Sequence, residues 1–359
     1  MPRMIFHAAF SLNSRAAAAS ALRPVRMYEA FEALGYEVFD LTGSSAQRRQ
    51  KFNKLKAMIR AGEQFEFAYS ESATIPAMIG DASHFPHMFL DAEIFAFLRK
   101  NEVPVSVFYR DLYWVYDEYI ERVGRPLGVA MRILYKYELA MYRRFANVIF
   151  VPSLEMAAEI AQLRIPKVKA LPPGGEIVDS PVPPSPLRLF YVGGIGAHYK
   201  LHELVKAVSS LPNIELTVCT GKDLWEGVKD EYDISVSNVR VVHASGKQLD
   251  EYYDWANVAA IAVDPSHYWS FAVPVKLFEY VGRGKPIIAT DGTLTSRIVK
   301  ENDWGWVVPN DSEQIIELLK RLELNPDEIS RKAEQVQCDR HGHSWEARAA
   351  EVKRLLVED

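Results

Sequence analysis

The chain has 359 residues, 48% of them hydrophobic and 25% charged, with a formal net charge of −5 at pH 7. That length suits two domains of roughly 170 residues, and the composition excludes a disordered or fibrous chain. Two cysteines, Cys219 and Cys338, supply neither a disulfide framework nor metal-ligand spacing; with no apolar run long enough to span a bilayer, a reducing, cytoplasmic setting is expected.

The charge is unevenly divided. Residues 1–172 hold 22 Lys and Arg against 18 Asp and Glu, and the remainder hold 20 against 29. A basic first half suggests an anionic partner, while no zinc, helix-turn-helix or RNP-type pattern points to nucleic acid. The opening MPRMIFHAAF turns polar too soon for a secretory signal.

Residues 4–10 read as a strand opening onto a polar loop, Ser11 to Arg15, then an alanine-rich helix ending near Gly35 and a strand over 36–41. This order begins an α/β sheet with the loop at its ligand-bearing edge. Ser11, Arg15 and Arg23 are candidates to meet a phosphate or an anionic acceptor, weighed against solvated arginines at a helix start. Residues 47–60 carry six Lys and Arg and no acid, with Phe52, Leu55, Met58 and Ile59 at helical spacing. Such a helix suits either an anionic membrane surface or packing on its own sheet.

A strand over 65–70 ends at Glu71, and one over 103–109 runs into Arg110 and Asp111. Charged groups at the C-terminal end of a central strand are where α/β proteins place chemistry. Asp111 is therefore a candidate base or sugar ligand, Arg110 its ionising partner and Glu71 a reserve; a plain internal ion pair remains the alternative. Residues 122–144 read as a long helix with six basic residues and one acid, Glu138, whose basic side would rest near lipid. A strand over 147–151 follows.

The Pro- and Gly-rich stretch 173–186 reads as a linker, separating a first domain, 1–172, from a second, 187–340, with a last helix over 341–359. A strand over 187–192 leads into Gly193, Gly194 and Gly196, then Lys200 and a helix. Glycines let backbone approach a diphosphate, and a helix start favours it. Later strands are expected over 214–219, 239–243, 258–263, 286–290 and 305–308. After the fourth of this half comes a polar, aromatic loop and, at Pro274, a helix bearing Lys276 in its first turn and Glu279 on the same face. A cation there suits a diphosphate, and the carboxylate can accept two hydrogen bonds from a ribose diol; a solvated pair on a capped helix is the competing reading.

The run Pro274-x-Lys276-Leu277-Phe278-Glu279-Tyr280, continued by Gly284-Lys285-Pro286-Ile287-Ile288-Ala289, resembles the donor-site motif of GT-B fold glycosyltransferases, in particular glycosyltransferase family 4 and its neighbours. The resemblance implies two Rossmann-like domains facing across a cleft, with nucleotide-sugar donor, UDP- or GDP-linked, on the second and acceptor on the first. It implies ribose binding by Glu279, phosphate contacts from Lys276, Lys200 and the Gly193–Gly194 turn, base contact near Gly221, and a last helix that crosses back to the first domain. Two departures stand out. Phe271 occupies the place of a second glutamate, and Gly194 that of an arginine.

The resemblance further implies a metal-independent transferase, retaining in preference to inverting, in polysaccharide or glycoconjugate synthesis at the inner face of a membrane; no Asp-x-Asp metal motif is present. Inversion would need a base, with Asp111 first in line. Two other readings compete: a silent relative serving as partner to an active transferase, and a dinucleotide oxidoreductase. The latter is weakened by glycine spacing that puts Tyr199 where a third glycine would stand.

Overall fold

The computed structural model describes residues 1–12, 19–196, 199–234 and 236–358. The chain divides into two units, Met1–Pro172 with Trp345–Asp359, and Pro173–Ser344. In the first, strands β1 (Arg3–Ala8), β2 (Glu37–Thr42), β3 (Phe67–Glu71), β4 (Val105–Phe108), β5 (Val148–Val151) and β6 (Val168–Ala170) form one sheet in the order β2-β1-β3-β4-β5-β6. In the second, β7 (Arg188–Val192), β8 (Glu215–Cys219), β9 (Val239–Val242), β10 (Val258–Ile261), β11 (Ile287–Thr290) and β12 (Gly305–Val308) form the order β12-β11-β10-β7-β8-β9. Every described strand pairing is parallel. Both sheets are α/β as expected, and their central strands are continuous apolar runs because helices cover both faces.

Each strand order contains one place where the chain reverses its direction of travel across the sheet. In the first unit it lies between β1 and β3, where Ala8 stands opposite Glu71. In the second it lies between β7 and β10, where Ala259 stands opposite Phe190. The two loops leaving such a point diverge to opposite faces and open a crevice at the carboxyl ends of the strands, the general ligand position in open α/β sheets.

The helix Ser45–Arg60 is not the acid-free basic surface its own sequence suggests. Arg48 points inward, fully buried, donating to the Gly43 carbonyl (3.1 Å) and to Asp91 Oδ2 (3.3 Å). Lys51 pairs with Asp40 at 2.7 Å, while Arg49 and Lys56 both reach Glu93. The acids come from neighbouring elements, which the local sequence does not display. Asp91 also accepts from His7 Nε2 (3.0 Å), and His7 Nδ1 lies 2.8 Å from Ser70 Oγ. This Ser–His–Asp line is buried at all three members. Burial drives the His7 pKa down against the pull of Asp91, which favours a neutral imidazole bridging Ser70 and Asp91.

The stretch 173–186 is strapped to the second unit. Val178 N donates to the Gly282 carbonyl at 3.2 Å, Ser180 Oγ to Asp254 at 2.6 Å, and Asn257 Nδ2 to the carbonyls of Pro183 and Pro186 at 3.0 and 2.9 Å. A Cβ on Gly175 would lie 2.0 Å from the Phe278 carbonyl oxygen, and one on Gly282 2.3 Å from that of Glu176. Only glycine allows this approach. Residues 341–344, grouped above with the last helix, stay with the second unit, where the His343 ring stacks on Phe278 at 5.7 Å. The chain joins the first unit at Trp345, and the helix Trp345–Lys353 packs on the helix Ala19–Ala33.

Candidate functional site

At the β7/β10 crevice, β7 delivers Gly193 with φ +134, a conformation that side chains avoid. A Cβ here would also sit 2.8 Å from Lys276 Nζ, at the end of a flexible side chain. Lys276 comes from the first turn of the helix Val275–Gly282, and is only 7% exposed. Its Nζ donates to the Tyr191 hydroxyl at 2.7 Å and lies over two rings, 4.0 Å from the centroid of Tyr191 and 3.5 Å from that of Tyr199. The Tyr191 hydroxyl in turn donates to the Gly194 carbonyl. Ring faces and the nearby Glu279 carboxylate favour the ammonium form, but burial dominates and lowers the Lys276 pKa well below that of a free lysine. An anion bound beside Lys276 would favour the ammonium form again.

Lys200 and Asp264, on the loops leaving β7 and β10, form an exposed pair at 3.1 Å. Such a pair is weakly held and readily exchanged for a stronger anion. Glu279 is half-buried one turn beyond Lys276. Gly221 instead caps the five-residue helix Lys222–Glu226 at the end of β8, one strand away. Leu277, carried in by the motif, is fully buried in the hydrophobic core, so its side chain packs the helix and does not face a ligand. Phe271 is buried edge-on against His267 and Tyr268, at 5.6 and 5.5 Å between centroids.

The first unit's candidates gather at its own crevice. Glu71, 1% exposed at the end of β3, accepts from Tyr69 OH (2.6 Å) and from Arg23 Nε (3.2 Å), and its second oxygen is 3.8 Å from Arg110 Nη2. The first oxygen of this carboxylate anchors Arg23, and the second has no hydrogen-bond partner among the described residues. Arg110 is directed to Glu71, its own N–H donating to Ser72 Oγ at 3.0 Å. Burial outweighs the Arg110 charge and lifts the Asp111 pKa to about 6, while Arg110 still pulls toward the ionised form, so the carboxyl is mostly ionised at neutral pH. Glu138, buried nearby with the Ala77 N–H donating to it at 2.7 Å, is lifted by burial to about 8. Ser11 is exposed just past β1, and Arg15 lies outside the described residues.

Tyr191 and Tyr199 escaped the sequence reading because strand aromatics next to glycines look like core. The signal for Tyr191 was its position two residues before Gly193, on the strand that feeds the turn. Among the described residues no group of three or more His, Cys, Asp or Glu side chains is placed to hold a metal ion.

Two parallel six-stranded units with crevices at these strand ends define the GT-B glycosyltransferase fold, and solved structures agree across the whole chain. Sucrose-phosphate synthase from Thermosynechococcus elongatus superposes with a TM-score of 0.66 at 18% identity, covering 99% of this chain and 98% of that one. HepE from Anabaena, in complex with UDP, gives 0.66 at 12% identity with complete coverage of both. WaaG, a glycosyltransferase involved in lipopolysaccharide biosynthesis, gives 0.57 at 12%, again over both full lengths. Residues 176–337, all within the second unit, match the family model described as glycosyl transferases group 1. Among curated proteins none matches the sequence significantly.

Proposed function

We propose that this chain transfers a sugar from a UDP- or GDP-sugar held by the second unit to a glycan or lipid-linked acceptor held by the first, in polysaccharide or glycoconjugate synthesis. The observation that carries the reading is the approach of Lys276 to Gly193 at the β7/β10 crevice. There a bare backbone turn, a buried lysine and the start of an eight-residue helix converge. A diphosphate entering the turn would draw a proton onto Lys276, and Lys200 would leave Asp264 for it. The leaving group's charge is then met by these lysines and the helix dipole, without calling on a metal ion. Glu279 takes the ribose diol. The HepE structure contains UDP, which makes uridine diphosphate the first ligand to test here.

Retention needs no side-chain base and is the favoured course. Should the enzyme invert, Asp111, with its pKa near 6, is tuned for proton acceptance around neutrality. Calorimetric titration with UDP and GDP tests the reading, together with Glu279→Ala. Loss of charge-assisted hydrogen bonds should weaken nucleotide binding by ~1.5–3 kcal/mol; unaltered affinity removes Glu279 from the ribose. Asp111→Asn should leave UDP affinity intact and abolish transfer only if the reaction inverts.

Phe271, buried where a second glutamate would contact the sugar, favours a second reading, a binding partner without turnover. Release of UDP from a labelled donor separates the two. The exposed face of the helix Arg125–Phe145 presents Leu127, Val129 and Ile133 beside Arg125, Lys136, Arg143 and Arg144, suited to peripheral contact with an anionic bilayer in the cytoplasm. Among the described residues no helix is long and apolar enough to cross one.

A further inference from the structure

The β1/β3 crevice of the first unit contains more positive charge than its fold needs. Arg23, 4% exposed, spends Nε on Glu71 and Nη2 on Tyr69 OH (3.4 Å), and its guanidinium lies 3.5 Å from the Phe108 ring centroid. Its Nη1 has no hydrogen-bond partner among the described residues. The same holds for Arg110 Nη2 and for Glu71 Oε2, which stand 3.8 Å apart without bonding. Arg348, from the helix Trp345–Lys353, is close enough to Arg23 that burial and then the Arg23 charge bring its pKa down to about 10. Two arginines thus face one carboxylate, and a third stands near Arg23.

A buried arginine cannot shed its proton, so an unpaired guanidinium N–H persists only where something else satisfies it. Two such N–H groups, from β4's end and from the helix Ala19–Ala33, converge at the point where strand order reverses. The Arg110 side chain remains 14% exposed and lies over the Phe10 ring just past β1. Planar donors in this arrangement match a tetrahedral oxyanion, and two arginines against one carboxylate leave a positive charge over for it.

We propose that this crevice binds a phosphate group, and, resting on the glycosyltransferase reading, that the group belongs to the acceptor. Glu71 then acts as a placeholder that holds Arg23 and Arg110 apart and oriented until the phosphate arrives. The acceptor is accordingly a phosphorylated sugar or a phosphate-bearing lipid headgroup.

The test titrates the full chain with inorganic phosphate, with a hexose 6-phosphate and with the unphosphorylated hexose, and separately with UDP. Saturable binding of both phosphates, and none of the free hexose, is expected. Arg110→Gln should weaken phosphate binding at least tenfold while UDP affinity holds. Glu71→Gln should tighten phosphate binding several-fold, an effect that loss of a merely structural ion pair would not produce; should that variant fail to fold, Arg110→Gln alone decides. Phosphate binding that survives Arg110→Gln, or that is lost in Lys276→Met instead, places the anion on the second unit and overturns the proposal, as does absence of saturation at millimolar phosphate. Failure of UDP to bind would sink the glycosyltransferase reading and leave the phosphate result standing. Glycerol phosphate in place of the hexose phosphate, binding more tightly, would assign the lipid source.

Discussion

The two units bury cations in opposite ways. In the first, Arg23 and Arg48 are enclosed with carboxylates, Glu71 and Asp91. In the second, the hydrogen bonds of Lys276 and Lys285 go to neutral oxygens, with Glu279 and Asp254 acting only from a distance: Lys276 donates to a tyrosine, and Lys285 to the carbonyls of Pro181 and Ala256. The difference follows from the side chains. Arginine stays charged at any accessible pH and must bring a counter-ion inside, whereas lysine can release its proton and survive as a neutral donor. The first unit's buried arginines therefore keep their charge, while burial weighs against charge on the second unit's lysines.

The largest test of this contrast is Arg48→Met. It leaves Asp91 buried with only neutral partners, and should cost about 3–5 kcal/mol of stability, measured by urea denaturation. A loss below 1 kcal/mol would show that Asp91 takes up a proton and that the arginine is dispensable. Lys285→Met tests the other side through pH. Burial lowers the Lys285 pKa to about 7 from an ordinary 10.5. Between those values the unfolded chain holds the proton and the folded chain does not, so stability rises with pH across that window, by at most ~1.4 kcal/mol per unit. Lys285→Met should flatten this rise. A parallel slope in wild type and variant would mean that the lysine stays charged.

The same contrast explains what could be read from sequence. Strands such as β4 (VSVF), β10 (VAAI) and β11 (IIAT) were legible because every residue in them is buried and the runs are mostly apolar. β6 was missed: Val168–Ala170 is a three-residue edge strand, and two of its residues face solvent, too little hydrophobic pattern to register. Lys276 and Glu279 were visible as a motif on a helix start, because local sequence sets their spacing. The Arg23–Glu71–Arg110 cluster was not, because its members come from three elements brought together only by strand order. The pairing of Arg48 with Asp91 was hidden for the same reason, and made a buried residue look like part of a basic surface.

Lys276→Met comes next in size. If this lysine stabilises the departing diphosphate, transfer should fall by roughly 10²–10³-fold, as when one donor to a developing oxyanion is removed, with the fold unchanged by circular dichroism. Proton uptake on UDP binding, read from calorimetry in two buffers of different ionisation enthalpy, should vanish in this variant. Persistence of the uptake would assign the proton to another group.

The smallest effect concerns the two basic helices of the first unit. On the helix Ser45–Arg60 the charges at Arg49, Lys51 and Lys56 are already met by Glu93 and Asp40. On Arg125–Phe145, by contrast, Ile133 is 63% exposed next to an exposed Lys136. A cation already paired has little left to gain from a lipid phosphate, while a free one gains about 1 kcal/mol near an anionic headgroup layer. Lys136→Glu should therefore weaken sedimentation with phosphatidylserine vesicles about fivefold or more, and Ile133→Ser should do so independently of salt. Lys51→Glu should have less effect than either. Equal losses from the two helices would show that the ion pairs open at a membrane, and that the acids of the neighbouring elements do not decide which surface meets lipid.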